Sequence, residues 1–137
     1  MKKILTVLGL LLALGSAPVL ARQALMEQPA RTEFLKSENT TPSIVRARNA
    51  ILQGGSRFGW QAVSDEPGKI TLRYDKGNGR HIVTIAVAYD AAGFQISYVD
   101  SFNMNYEVVD GAAEIHPNYN RWITNLGKEI VNRQLQQ

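Results

Sequence analysis

Between Trp60 and Tyr98 the chain repeats one pattern, a short run of alternating apolar and polar residues followed by a turn. This repetition constrains the fold more than any other feature. A two-residue period sends successive side chains to opposite faces of a strand, and short turns set consecutive strands side by side. Trp60–Ser64 is the first candidate strand, ended by Asp65-Glu66-Pro67-Gly68, whose Pro-Gly pair is a strong turn signal. Lys69–Tyr74 alternates clearly, with Ile70, Leu72 and Tyr74 directed to a core, and Asp75-Lys76-Gly77-Asn78-Gly79 then reverses the chain. His81–Tyr89 is the longest candidate. Its bulkier face, Val83, Ile85, Val87 and Tyr89, is assigned to the interior. Asp90-Ala91-Ala92-Gly93 leads into Phe94–Tyr98, where Phe94, Ile96 and Tyr98 point inward.

Helical periodicity brackets this region. Thr41-Pro42 offers a capping hydroxyl and a proline for the first helical position, and Ile44, Ala47 and Ile51 then recur on one side. The spacing predicts a helix over 42–53, with Gly54-Gly55 either stopping it or permitting close backbone packing before Phe58. Met104–Val109 reads as a further short strand and Asp110-Gly111 as a turn. His116-Pro117 opens a final helix whose apolar stripe is Tyr119, Trp122, Ile123, Leu126, Ile130 and Val131. The expected fold class is therefore α+β: an antiparallel four-stranded meander with N-terminal and C-terminal helices packed on one face. The opposite face, with Thr71, Arg73, Thr84, Ala86 and Ser97, is left for water or a partner.

The N-terminus reads as an export signal. Lys2 and Lys3 precede the apolar run Ile4–Leu14, and Val19 and Ala21 are small residues before a cut between Ala21 and Arg22. The apolar run is too short to span a membrane comfortably. Residues 1–21 are thus expected to be a cleavable secretory signal, 22–41 a flexible or weakly helical lead-in, and 42–137 a single α+β domain. Removing residues 1–21 leaves 116 of 137 residues, enough for one domain with a sizeable core. The formal charge of +3 falls to +1 with the loss of Lys2 and Lys3, so the domain itself has no pull on polyanions. No nucleic-acid partner and no transmembrane segment are expected in the mature chain. The absence of cysteine excludes thiol catalysis and disulfide exchange, and leaves packing alone to hold the domain.

Chemistry-bearing patterns are sparse. His81 and His116 fit no zinc or calcium spacing, and no metal or other cofactor is implied. Ser56, Ser64, Ser97 and Ser101 lack a glycine-flanked nucleophile elbow, so no catalytic residue is assigned. Gly54-Gly55 and Gly77-Asn78-Gly79 lack the lysine and hydroxyl of a nucleotide loop. Amides, aromatics, a histidine and an arginine concentrate in Ser101–Tyr106 and Ile115–Trp122. Planar stacking combined with paired hydrogen bonds is the chemistry of polar-ligand or peptide recognition. Asn103, Asn105, Tyr106, His116, Asn120 and Arg121 are the ligand-binding candidates. Several of these residue types also cap helices and fill turns, a structural use that competes with recognition.

Some of the same residues carry a resemblance. Ala50-Ile51, Arg57-Phe58-Gly59-Trp60, Tyr98–Ser101 with Asn103 and Tyr106, and Ile115-His116-Pro117-Asn118-Tyr119-Asn120-Arg121-Trp122-Ile123 with Leu126 are similar to a family of small uncharacterised proteobacterial envelope proteins. The similarity covers about residues 42–135, and some members carry lipoprotein-type signals. It implies an exported single domain and transfers no reaction or ligand. The missing lipobox cysteine departs from the lipid-anchored members and implies a soluble periplasmic product. The expected function is a noncatalytic periplasmic binding or envelope-accessory module acting on an envelope protein, peptide or small polar ligand. The rivals are a small hydrolase with a spatially assembled histidine site and a self-assembling structural subunit.

Overall fold

The computed structural model describes residues 23–137. The export-signal expectation for residues 1–21 lies outside the described residues. The elements are β1 (Ala24–Leu25), β2 (Thr32–Glu33), α1 (Ile44–Arg57), β3 (Gln61–Glu66), β4 (Lys69–Lys76), β5 (His81–Tyr89), β6 (Gly93–Phe102), β7 (Glu107–Val109), β8 (Ala112–Ile115) and α2 (Asn118–Leu135). The class is α+β, with one five-stranded and one three-stranded antiparallel sheet.

The alternating segments become β3 to β6, paired in chain order. Their assigned inner faces are buried: Ile70 and Leu72, Val83, Ile85 and Val87 with Tyr89, and Phe94 with Ile96. Tyr74 and Tyr98 are half-buried and pack against this core. The sheet is nevertheless not the four-stranded meander expected. β2 adds a fifth strand on the β6 edge, where Thr32 faces Phe94. The hairpin of β7 and β8 forms a second sheet, to which β1 pairs through Ala24 and Ile115.

Strands β1 and β2 come from the lead-in, which is extended rather than weakly helical. Two-residue strands lack the length to be recognised by period, and their backbone groups are satisfied only by edges supplied from far along the chain. Pro29 also denies an N–H to any helix or ladder through this stretch. Residues 26–31 therefore form a strap running from one sheet to the other.

Helix α1 begins two residues later than the Thr41-Pro42 signal. Ser43 is the cap, its extended backbone (φ −151°) letting its Oγ accept the Arg46 N–H at 3.1 Å. Ile44, expected on the buried stripe, is 49% exposed, whereas Ala47, Ala50, Ile51, Gly54 and Gly55 form the covered side. The helix runs through the glycine pair to Arg57. Close packing explains the pair. A Cβ on Gly54 would lie 3.0 Å from Ile130 Cγ1, and one on Gly55 would lie 3.2 Å from Leu72 Cδ1.

In α2 the buried residues include Tyr119, Ile123, Leu126 and Ile130, while Trp122 and Val131 are partly buried against the same core. The helix begins at Asn118, with Pro117 just before it already in helical dihedrals (φ −60°, ψ −21°). Helix α1 packs along α2 and touches β3, β4 and β5. Arg46 reaches the far end of α2 and donates to the carbonyls of Gln134 and Gln137. A cation among the last carbonyls of a helix is favourably placed. No helix among the described residues is long and apolar enough to cross a membrane.

Candidate functional site

The candidates divide into two sets. Asn103, Asn105 and Tyr106 lie together in the loop after β6 and line one polar concavity of about 620 Å³ with Tyr98, Asp100, Ser101 and Met104. The loop is held from several sides. Asn103 and Asn105 both have left-handed backbones (φ 57° and 54°), a conformation that asparagine tolerates better than most residues. The buried Met104 between them anchors the turn. Asn103 Nδ2 donates to the Arg80 carbonyl at 2.8 Å, and His81 Nδ1 donates to the Asn103 carbonyl at 2.9 Å. Gln23 Nε2 donates to the Asn105 carbonyl at 3.0 Å.

Tyr106 stacks on Tyr98 with ring centroids 4.5 Å apart and planes 14° from parallel. Tyr98 meets Tyr119 edge-on at 5.9 Å. Three aromatic rings thus connect the loop to the first turn of α2. Burial raises the Tyr98 and Tyr119 phenols above the ordinary tyrosine value.

The second set does structural work. The His116 N–H donates to the Met104 carbonyl at 2.7 Å, and His116 Nδ1 accepts the Asn118 N–H at 3.1 Å. His116 therefore backs the loop and shapes the start of α2. Arg121 is exposed and pairs with Asn118 one turn earlier. Asn120 clamps the strap at both ends of its carboxamide. Oδ1 accepts the Glu27 N–H and Nδ2 donates to the Leu25 carbonyl, each at 2.9 Å.

Replacing that clamp has a defined cost. Each hydrogen bond is worth about 1 kcal/mol. Asn120→Ala is expected to speed hydrogen exchange at residues 25–28 by roughly 5- to 30-fold, as a loss of about 1–2 kcal/mol implies. Unchanged exchange there would remove Asn120 from its clamping role.

Strap and sheet enclose two further concavities not anticipated from sequence. One, of about 400 Å³, lies between Met26–Ala30 and Gln95–Tyr98, with Tyr106 and Tyr119 also in its wall. The other, of about 500 Å³, is an apolar cleft formed by Pro29, Ala30, Phe94, Ile96, Ile123, Gly127 and Val131, with Glu27 and Lys128 among its polar residues. The first shares Tyr98 and Tyr106 with the loop concavity, and shares Pro29, Ala30 and Ile96 with the cleft. Adjacent along β6, the three concavities share walls and pass from polar lining at Asn103–Tyr106 to apolar lining against α2. The strap is moored beyond them by Arg31, which pairs with Glu33 and Asp90 at 2.7 and 2.6 Å. Arg31 and the Ala92 N–H hold the Asp90 carboxyl below its ordinary range.

Gly127 opens the cleft. A Cβ there would meet no heavy atom within 4 Å. Glycine inside a helix is disfavoured, so Gly127→Ala is expected to stabilise the protein by about 0.5–1 kcal/mol, read as a raised Tm.

Among the described residues no group of three histidine, aspartate or glutamate side chains is arranged to hold a metal ion. Searched against known proteins, the chain matches no family model, no curated sequence and no solved structure.

Proposed function

We propose that the chain is a noncatalytic periplasmic binding or envelope-accessory module that takes its ligand in the concavities along β6. The shared walls of three adjacent concavities carry the reading. A polar, aromatic-stacked basin at Asn103–Tyr106 gives way past the strap to an apolar cleft against α2. Mixed lining of this kind, apolar walls with a few placed polar groups, is what small-ligand and peptide sites share. The engagement of His81 with the Asn103 carbonyl and of His116 with the Asn118 N–H supports a binding role over the hydrolase alternative. Export is argued from Lys2 and Lys3, the apolar run and the small residues before Arg22. The resemblance to envelope proteins points the same way.

In this reading both helices cover one face of the five-stranded sheet, and the opposite face stays open at Thr71, Arg73, Thr84 and Ser97, while Ala86, expected on that open face, is buried. The close approaches of Gly55 to Leu72 and of Gly54 to Ile130 support that layering.

The test is to titrate the isotope-labelled protein with fractionated envelope extract and small polar ligands. Selective amide shifts in residues 26–31 and 98–106 are expected. Substrate turnover that vanishes in a folded His116→Ala variant would replace the binding reading with the hydrolase. No selective shift under varied salt and pH would remove it altogether.

A further inference from the structure

The open positions on the β6 edge are Ile96 and Tyr98. At the preceding hairpin the Asp90 N–H donates to the Gly93 carbonyl. Phe94, one residue on, therefore turns its N–H and C=O away from β5 and toward β2. Thr32 faces it there, and the Phe34 N–H bonds the Ala92 carbonyl in the same ladder. Two-residue alternation directs the backbone groups of Ile96 and Tyr98 the same way. By then the facing chain has departed. The strap carries no strand at 26–31, and its contact with this part of β6 is Gln95 Nε2 donating to the Pro29 carbonyl at 3.4 Å. In place of a ladder there is the concavity of about 400 Å³ between strap and edge. Ile96 is only 5% exposed, and a backbone group shielded from water gains most from a hydrogen-bond partner.

We propose that this edge receives an extended peptide as an added antiparallel strand, continuing the ladder that β2 begins. The inference rests on the binding reading above and names its ligand class. Strand addition supplies main-chain hydrogen bonds, while pockets for alternate side chains supply selectivity. An added strand lies about 4.8 Å from β6. The peptide residue opposite Ile96 turns its side chain into the apolar cleft at Ile123, Gly127 and Val131. The residue opposite Tyr98 meets the Tyr106 and Tyr119 rings. The residue between them faces outward beside the exposed Ser97. The preferred sequence is therefore apolar–polar–apolar. Glu27 and Lys128 carry opposite charges in the cleft wall and set no demand for a single sign of charge.

The experiment uses end-capped peptides of alternating threonine and one apolar residue (valine, leucine, isoleucine, phenylalanine or tyrosine). At least one should slow hydrogen exchange at the Ile96 and Tyr98 amides at least tenfold. Its backbone N-methylated counterpart should not. Gly127→Trp, which fills the cleft, should weaken binding at least tenfold with the thermal transition retained. Protection absent with every peptide, or equal binding of the N-methylated form, would overturn the proposal and leave the strap as a shield for the edge. Envelope-extract shifts in the concavities without Ile96 and Tyr98 protection would sink strand addition while sparing the binding reading.

Discussion

Tyr119→Ala is expected to destabilise the fold by about 3–5 kcal/mol, the cost of emptying a large aromatic site in a core. The ring is 1% exposed and sits edge-on to Tyr98, which in turn stacks on Tyr106. Its loss opens a cavity where α2 begins and removes support from the Asn103–Tyr106 loop. Urea unfolding should show a lower midpoint at unchanged slope. Tyr119→Phe keeps most of the volume and should stay within about 1.5 kcal/mol of the wild type.

The phenylalanine variant also reports on pH. Burial raises the Tyr119 phenol above its ordinary value of 10. The unfolded chain therefore gives up this proton before the folded one does. The stability tied to the neutral phenol is fully present below pH 10 and drains away as pH rises toward the folded value. Tyr119→Phe should consequently lose less stability than the wild type above pH 10. An identical alkaline loss in both proteins would exclude Tyr119 as its source.

Gly54→Val is expected to cost about 2–3 kcal/mol through overpacking. The obstacle is backbone as well as side chain. A Cβ at Gly54 would stand 3.2 Å from the Ile130 nitrogen and 3.3 Å from its Cα. Ile130 Cγ1 can rotate, but the backbone atoms retreat only if α2 moves away from α1. The measurement is again the urea midpoint, with circular dichroism to confirm retained helix. A neutral result would mean that the two helices do not meet at this point. The contrast with Gly127→Ala is instructive. Both glycines interrupt a helix at a similar intrinsic cost. One is required by a neighbouring backbone, and the other faces an open cleft.

That contrast marks how far the sequence could be read. Alternation identified β3 to β6, and the inward faces of β4, β5 and β6, because a buried face must repeat every second residue. The α2 stripe was equally legible, since Tyr119, Ile123, Leu126 and Ile130 recur with the helical period around one buried line. The Gly54-Gly55 pair left two readings open, and tertiary contact with Ile130 and Leu72 decided for close packing. Ile44 fits the periodic stripe yet is half exposed, because the first turn of α1 extends beyond the surface that covers the rest.

The candidate site was legible as a composition and not as a place. Asn103, Asn105 and Tyr106 do converge, since a six-residue stretch cannot scatter its members far. Asn120 and Arg121 share the sequence neighbourhood of His116 but lie outside the lining of the loop concavity. Asn120 meets Glu27 and Leu25 across separations of 93 and 95 residues, which no local pattern announces. The apolar cleft was hidden for the same reason. Its walls come from the strap, β6 and α2, three segments whose periodicities report burial without naming the neighbour.

The sequence by itself determined the four longest strands, the two helices and most of the sides they turn inward, because local backbone geometry imposes those periods on any chain. Only the tertiary structure decided that the lead-in serves both sheets and that adjacent concavities follow the β6 edge. Those features arise from pairings between distant segments, and a ladder of backbone hydrogen bonds is nearly indifferent to the side chains that flank it.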